Sequence, residues 1–196
     1  MERSSALIIF VRNPVLGKVK TRLAQALGAE KALAIYKKLL QHTHDIVIGV
    51  EADKFLYYAD YINHEDIWEN DVFKKELQLG IELGERMKNS IGNLFDKGYA
   101  KVGIIGSDCY DLTSDIIQEG IAQLDKHDVV VGPAKDGGYY FIGMNSYFSE
   151  LFEGKKWSTE TVLEDTIEQL KQMDVTYSKL PVLSDIDQAE DINFKF

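Results

Sequence analysis

The stretch ALIIFVRNPVLGKVKTRLAQALG, residues 6–28, decides the fold class, because it joins an apolar strand to a basic loop that runs into a helix. Its first six residues are continuously apolar and rich in β-branched side chains, which predicts a strand buried on both faces. Pro14 and Gly17 then break the chain into a loop. No acid lies between Glu2 and Glu30, and four cations fall within the loop region: Arg12, Lys18, Lys20 and Arg22.

The rest of the chain alternates between predicted strands and predicted helices. The strand candidates are KFLYYA (54–59), FKKELQL (73–79), KVGIIG (101–106), DVVVGP (128–133), YYFIGM (139–144) and VTYSKLPVL (175–183). Helical spacing marks residues 29–50 and 84–98, a segment capped by Thr113 or Ser114, and a segment from Ser158 or Thr159 to Met173. This alternation predicts a single α/β domain over residues 1–196 with a mostly parallel sheet covered on both faces. In such sheets ligands bind beyond the carboxyl ends of the strands.

The composition excludes several classes of function. The net charge is -10, so nucleic acid would be repelled everywhere except at the basic loop and is a poor partner. The single cysteine, Cys109, rules out an internal disulfide and suits a reducing compartment. The sequence has no signal-peptide layout and no apolar run of about 18 residues, so we expect a cytoplasmic protein without a membrane span. A small anionic ligand fits better.

The basic loop has two interpretations. Cations beside a helix start favour an anion, and lysine and arginine form charge-assisted hydrogen bonds with phosphate oxygens. The loop is not a P-loop, because Val19 follows Lys18 where that motif has serine or threonine, and it has no dinucleotide glycine pattern. The alternative is a solvated basic surface loop.

The segment IIGSDCYDLT, residues 104–113, places a carboxylate at the end of an apolar strand. A hard divalent cation such as Mg²⁺ would pair with Asp108 and bridge it to ligand phosphates. The alternative is that Asp108 or Asp111 caps the next helix, and we favour the cap for Asp111 and the metal for Asp108. Cys109 is interpreted as a small buried filler, because one cysteine without a neighbouring histidine is weak support for a nucleophile.

Two further segments carry candidate site residues. In GPAKDGGYYFIGM, residues 132–144, Gly137 and Gly138 predict a tight loop with close backbone approach, from which Asp136 projects. A plain turn between strands would look similar. In LSDIDQAED, residues 183–191, Asp185 and Asp187 alternate, so they share one face of an extended segment. They either complete a metal site or form an acidic surface strand.

The order of the motifs carries more information than any one of them. FVRNPVLGKVKTRLA, LQLGIELGERM, GSDCYDLT, GPAKDGGYYFIGM and LSDIDQAEDI resemble, in that order, a family of bacterial nucleotide-diphospho-sugar-transferase-like proteins with the GT-A fold. The resemblance spans nearly the whole chain, and phospholactate and molybdenum-cofactor guanylyltransferases look like its nearest relatives. It implies a Rossmann-like three-layer α/β/α sandwich with a mostly parallel mixed sheet.

The resemblance also implies roles for individual residues. The nucleotide would be bound by Arg12, Gly17, Lys18, Lys20, Arg22, Gln78 and Arg86. Asp108 and Asp187 would hold Mg²⁺ or Mn²⁺, while Gly137, Gly138 and Asp185 would contact the substrate. The catalytic groups would be Lys20, Asp108 and Asp136. Two positions depart from the family pattern: Tyr110 replaces a usual proline, which predicts a looser turn, and Glu82 replaces a usual aspartate.

Three functions remain open from the sequence. The first is glycosyl transfer from a nucleoside-diphosphate sugar to a small-molecule acceptor, which the resemblance favours. The second is nucleotidyl transfer from a nucleoside triphosphate to a small phosphorylated acceptor, which would use nearly the same residues. The third is a non-catalytic nucleotide-binding module, which carboxylates near phosphates do not favour. A homo-oligomer is compatible with each of them.

Overall fold

The structure, a computed structural model, describes residues 4–192. Within this range seven strands form one sheet: β1 (Ser5–Val11), β2 (Asp53–Tyr58), β3 (Phe73–Leu77), β4 (Lys101–Ile105), β5 (Val129–Pro133), β6 (Tyr139–Met144) and β7 (Tyr177–Lys179). The same range contains five α-helices: α1 (Thr21–Leu27), α2 (Ala29–Val47), α3 (Leu83–Asp96), α4 (Ser114–Gln123) and α5 (Val162–Gln172). Short 3-10 helices cover Ser149–Phe152 and Ala189–Asp191.

The strands run in the order β3-β2-β1-β4-β6-β5-β7. Strand β6 is antiparallel to β4 and to β5, whereas the other neighbouring pairs are parallel. Strands β1, β2, β4 and β5 therefore all point their carboxyl ends to the same edge of the sheet. The predicted mostly parallel mixed sheet is confirmed.

Alternation along the strands supplies two cores, one on each face of the sheet. In β1, Leu7 and Ile9 are fully buried in a cluster that includes side chains of α2 and α4. Their neighbours Ala6 and Ile8 are fully buried on the other face with side chains of α3 and α5. The predicted three-layer α/β/α arrangement is thereby confirmed. No helix within residues 4–192 is both long enough and apolar enough to cross a membrane.

Several boundaries differ from the sequence-based expectations. The basic loop enters the separate seven-residue helix α1 before α2 begins, and α2 ends at Val47 rather than near residue 50. The last predicted strand is reduced to the three residues of β7. Helix α5 begins at Val162 rather than near Ser158, because Ser158 has a left-handed backbone (φ 62°) that cannot start a right-handed helix.

Two predicted helix ends need comment. Of the two residues proposed to cap α4, Thr113 and Ser114, the cap is Thr113, whose side chain accepts a hydrogen bond from the Ile116 amide. The interpretation of Asp111 as the cap was wrong, because Thr113 occupies that position. At the other end of the sheet, Gly98 follows α3 with φ 91°, which confirms its predicted role in ending the helix.

Candidate active site

Loops at the carboxyl edge of the sheet surround a cavity of about 860 Å³. Its walls come from the loops after β1 and β4, the turn between β5 and β6, the start of α3, the segment before α5 and the segment after β7. Five cations line it: Arg12, Lys18, Lys20, Arg22 and Arg86. Five acids face them: Asp108, Asp136, Glu160, Asp185 and Asp187. The predicted common location of the basic loop and Asp108 is confirmed.

Asn13 fixes the start of the basic loop. Its buried side chain donates to the Tyr61 carbonyl oxygen (2.9 Å) and accepts from the Asp60 and Tyr61 amides (3.2 and 3.3 Å). The sequence analysis missed Asn13, although a polar residue between a buried strand and a proline was a signal. The loop is thus anchored at its base while Arg12 and Lys18 remain exposed to the cavity.

Lys20 is the most constrained cation of the site. Its backbone is left-handed (φ 46°, ψ 50°) at the start of α1, and its side chain is only 5% exposed. The ammonium group lies 2.9 Å from Asp108 Oδ1 and 3.1 Å from Asp187 Oδ1. Burial alone would lower the pKa of Lys20, but the charges of Asp108 and then Asp187 outweigh burial, and the pKa is raised. Lys20 is therefore a cation at neutral pH, held between two carboxylates.

Arg22 contrasts with Lys20 two residues earlier. Its side chain is 68% exposed, and its Nη1 reaches Asp187 Oδ2 at 3.5 Å, the limit of a hydrogen bond. Helix α1 is too short to provide a strong dipole, since helix stabilisation of an anion needs a longer row of aligned peptides. An anion at this loop would accordingly depend on the side chains rather than on the helix start that the sequence suggested.

Tyr36 links the two loops that frame the cation and the carboxylate. Its hydroxyl accepts from the Arg12 amide (2.8 Å), donates to the Arg12 carbonyl (3.2 Å) and lies 3.3 Å from Ser107 Oγ. Ser107 directly precedes Asp108 at the end of β4. Sequence analysis assigned Tyr36 only to the apolar face of α2, because its hydroxyl contacts are distant in sequence.

Ile186 anchors the acidic segment. Its side chain is buried beside Leu23 and Leu39, and its amide donates to the Asp108 carbonyl oxygen at 2.9 Å. The two flanking residues, Asp185 and Asp187, both line the cavity, as their alternation predicted. The structure thereby brings Asp108 into the same cavity as Asp185 and Asp187, which lie far from it in the sequence.

The three carboxylates Asp108, Asp185 and Asp187 outnumber the cations that contact them, Lys20 and Arg22. Burial, then the charge of Asp108, and then that of Asp136 raise the pKa of Asp185 to about 7, although Lys20 acts in the opposite direction. Such a cluster favours the arrival of further positive charge.

The turn after β5 is shaped by Gly137. A Cβ atom there would lie 2.0 Å from the Glu160 carbonyl oxygen, and the backbone is left-handed (φ 88°). The Gly137 amide donates to the Ala134 carbonyl oxygen (3.2 Å), and the Gly138 amide donates to Asp136 Oδ1 (2.9 Å). The close backbone approach predicted for this pair is therefore made to the segment before α5, while Asp136 and Gly138 line the cavity.

Gln78 and Arg86 line the cavity and also support it. Gln78 Nε2 donates to the carbonyl oxygens of Val11 (3.2 Å) and Tyr57 (2.9 Å), which ties together the ends of β1 and β2. Arg86 Nε donates to the Gly80 carbonyl oxygen at 3.0 Å. All the predicted site residues lie within residues 4–192, and all of them line the cavity except Gly17 and Gly137.

Aromatic residues form part of the cavity wall, which the sequence analysis did not predict. Tyr139 and Trp157 line the cavity, and Gly84 of α3 packs so closely against the indole that a Cβ would lie 2.2 Å from Trp157 Nε1. The Tyr139 hydroxyl is buried and has no hydrogen-bond partner within the described part of the chain. Buried hydroxyls normally have a partner, so this group is an exception among the described residues.

Cys109 and Tyr110 have structural roles. Burial, and then the charge of Asp185, raise the pKa of the Cys109 thiol to about 12, which agrees with its interpretation as a filler. The Tyr110 ring, at the position of the usual family proline, lies 4.5 Å from the His42 ring and packs beside Leu23 and Ile35. The turn after Asp108 is thus held by aromatic packing.

The carboxylate oxygens of Asp108 and Asp187 are suitable ligands for a hard cation such as Mg²⁺. Within residues 4–192 no group of three or more His, Cys, Asp or Glu side chains is close enough to hold a metal ion alone. Asp108 and Asp187 nonetheless converge on one positive group, the Lys20 ammonium. Mg²⁺ commonly takes one or two carboxylates and completes its coordination with water and substrate phosphates, so this pair fits such an ion.

The fold and the site define a protein of the nucleotide-diphospho-sugar-transferase-like class. More particularly, the chain belongs to the family described as "Uncharacterized protein conserved in bacteria (DUF2064)", whose model matches residues 39–159. It is 32% identical to a "putative nucleotide-diphospho-sugar transferase" from Desulfovibrio desulfuricans G20, with a TM-score of 0.86 over 94% of this chain and 82% of that chain. The predicted family and the predicted GT-A-like fold are confirmed.

Two more distant structures share the fold. The first is 4-diphosphocytidyl-2C-methyl-D-erythritol synthase from Anaerococcus prevotii DSM 20548, at 14% identity and a TM-score of 0.60 over 96% of this chain and 92% of that chain. The second is glucosyl-3-phosphoglycerate synthase from Mycobacterium tuberculosis, in complex with Mn²⁺, uridine diphosphate and glucosyl-3-phosphoglycerate, at 10% identity and a TM-score of 0.55 over 97% and 74%. A search among curated proteins found no match.

Proposed function

We propose that this protein is a glycosyltransferase that uses a nucleoside-diphosphate sugar and a divalent metal, Mg²⁺ or Mn²⁺. The observation that carries the proposal is the arrangement of Asp108, Lys20 and Asp187 beside exposed cations in one cavity. The cavity volume of about 860 Å³ lies within the range of about 300–1,000 Å³ that is usual for small-molecule sites.

The exposed cations would bind the diphosphate. Arg12, Lys18 and Arg22 line the cavity without being buried, so they can reach an anion at small desolvation cost. Each charge-assisted hydrogen bond to a phosphate oxygen is worth about 1.5–3 kcal/mol. Gln78 lies at the ends of β1 and β2, and Arg86 lies in the first turn of α3. The nucleoside part of the donor would be placed beside these two cavity-lining residues.

Asp108 and Asp187 would hold the metal, with oxygen atoms of the donor diphosphate as further ligands. When bound, such an ion supplies Lewis-acid stabilisation of the charge that develops on the leaving diphosphate. The support from a related fold is that glucosyl-3-phosphoglycerate synthase holds Mn²⁺ together with uridine diphosphate. Lys20, Arg22 and Lys18 line the same cavity and add positive charge to it.

The acceptor would occupy the opposite end of the cavity, a small molecule rather than a polymer. Asp136 is exposed on the turn after β5 and would accept the proton of the attacking hydroxyl group. Asp185 and Gly138 line the same cavity and would contact the acceptor as well. Trp157 provides an apolar face against which a sugar ring can pack.

The test is a donor screen with two product assays. Wild-type protein is incubated with a panel of nucleoside-diphosphate sugars and Mg²⁺ or Mn²⁺, and nucleoside diphosphate and free sugar are measured by mass spectrometry. Slow hydrolysis of at least one donor is expected, because the site stabilises the leaving diphosphate even without acceptor. Asp108→Asn should reduce the rate by about 100-fold or more.

Asp96→Asn is the matched control, because Asp96 is an exposed carboxylate at the end of α3 and does not line the cavity. It should leave the rate unchanged. In parallel, nucleoside triphosphates and phosphorylated acceptors are assayed for pyrophosphate release. Asp108-dependent pyrophosphate release without diphosphate formation from any sugar donor would refute the proposal and establish nucleotidyl transfer instead.

A further inference from the structure

The Lys20 ammonium stands where a metal between Asp108 and Asp187 would stand. It contacts one oxygen of each carboxylate, at 2.9 and 3.1 Å, and its side chain is almost completely buried. The two carboxylates come from the end of β4 and from the segment after β7. Without a cation between them these groups would repel each other, so Lys20 keeps the site assembled when no metal is bound.

An ammonium group and a metal ion cannot both use this position. Mg²⁺ binds carboxylate oxygens at about 2.0–2.1 Å, so an ion that contacts both Oδ1 atoms from the side that Lys20 occupies would lie well inside the contact distance of Nζ. The two positive charges would also repel each other strongly in a poorly solvated site. One of them has to leave, and the lysine has a long flexible side chain that can do so.

We propose that Lys20 and the divalent metal exclude each other at the Asp108–Asp187 pair, and that metal binding releases the Lys20 ammonium toward the phosphates of the donor. Lys20 is then a placeholder in the metal-free protein and a phosphate ligand in the loaded protein. This inference rests on the proposed function, because it assigns the released ammonium to the donor diphosphate.

The surroundings of Lys20 support an exchange. Exposed cations flank it on the same loop, and the cavity that holds them gives the released ammonium space beside Arg22 and Lys18. The two carboxylates left behind, Asp108 and Asp187, carry more negative charge than one ammonium neutralises. A doubly charged ion therefore compensates this cluster better than Lys20 does.

The exchange and a purely structural ion pair predict opposite signs for one substitution. If Lys20 only assembles the site, Lys20→Met will weaken metal binding, because the carboxylates separate. If Lys20 competes with the metal, Lys20→Met will tighten metal binding in the absence of nucleotide. Loss of a competitor held by two charge-assisted hydrogen bonds should tighten binding by roughly tenfold or more.

The measurement is a titration of nucleotide-free protein with Mn²⁺, in which free Mn²⁺ is followed by electron paramagnetic resonance. Wild type, Lys20→Met and Lys18→Met are compared. Lys18→Met removes the same charge from an exposed position of the same loop, so it should tighten Mn²⁺ binding much less, by about twofold or less under screening by salt. Equal or weaker Mn²⁺ binding by Lys20→Met than by wild type would overturn the inference, as would failure of all three proteins to bind Mn²⁺.

A second measurement on wild-type protein covers the case in which Lys20→Met does not fold. Lysines are labelled with an amine-reactive acetylating reagent, with and without Mn²⁺, and the modified positions are quantified by mass spectrometry. Mn²⁺ should increase labelling of the buried Lys20 several-fold and leave the exposed Lys18 unchanged. Protection of Lys20 by Mn²⁺, or no change, contradicts the exchange.

The two proposals fail separately. If Mn²⁺ does not release Lys20 but sugar donors are cleaved in an Asp108-dependent reaction, the exchange is refuted and the glycosyltransferase proposal stands. If Lys20 is released but no sugar donor is cleaved, the exchange stands and the proposed function is refuted.

Discussion

Replacing Gly137 with alanine should destabilise the protein and disturb one wall of the cavity. The new Cβ would lie 2.0 Å from the Glu160 carbonyl oxygen, which is backbone and cannot rotate away. A left-handed backbone (φ 88°) costs a non-glycine residue about 1–2 kcal/mol. Moving the Glu160 segment also breaks the hydrogen bond from the Leu163 amide to the Gly137 carbonyl oxygen (2.8 Å), worth about 0.5–1.5 kcal/mol. We therefore expect Gly137→Ala to lower the free energy of unfolding by roughly 2–4 kcal/mol.

Gly138→Ala is the matched control at the next position. Gly138 has no left-handed backbone, and the nearest atom to its added Cβ is Asp136 Oδ1 at 3.2 Å, the end of a side chain that can adjust. Its effect should stay within about 1 kcal/mol, because alanine also reduces the entropy of the unfolded chain. Urea unfolding followed by circular dichroism measures both variants. Free energies of unfolding within about 0.5 kcal/mol of each other would refute the argument that the Glu160 contact requires glycine.

Three further predictions concern residues other than the proposed catalytic groups. Burial alone would lower the pKa of His44, but hydrogen bonds with Asp45 and Glu69 outweigh burial and raise the pKa. Protonated His44 therefore stabilises the fold below about pH 6.5, and this stabilisation is lost as the pH rises through the pKa of the folded state. His44→Gln should thus cost more stability at acidic than at alkaline pH, and a pH-independent cost in thermal unfolding would contradict this assignment. Because Cys109 is buried with a pKa raised to about 12, it should react with a disulfide reagent near pH 8 only as fast as the protein opens, and rapid stoichiometric labelling of native protein would count against it. Thr113→Ala should lower the free energy of unfolding by about 0.5–2 kcal/mol while Thr113→Ser retains the helix cap, and equal stability of the two variants in urea would argue against the cap.

The sequence predicted the parts of the fold that local patterns determine. Short apolar runs rich in β-branched residues, such as residues 6–11 and 102–105, favour buried strands, and their alternation with helices favours a mostly parallel sheet. Since parallel strands end at one edge, the placement of Asp108 opposite the basic loop followed without any knowledge of coordinates. Asp185 and Asp187 reached the same cavity because a strict alternation places both on one face.

Contacts between distant segments could not be predicted. Nothing near Lys20 in the sequence distinguishes it from Lys18, yet one is buried between carboxylates and the other is exposed. The sequence favoured a core or rim position over a sugar-stacking surface for the tyrosines and left both open for Trp157, because an aromatic residue suits either environment. Position 137 requires glycine because the backbone at Glu160 passes close to it.

The ion pair between Lys20 and Asp187 has a consequence for how the chain folds. The two residues are 167 positions apart in the sequence. Asp187 is held in place by its neighbour Ile186, which packs against α2, and this hydrophobic contact spans almost as much of the chain. Contacts of such long sequence separation form late, because the entropy of closing the intervening loop must already have been offset by the sheet. We therefore expect the Lys20–Asp187 contact to recover later than the strands after dilution from denaturant.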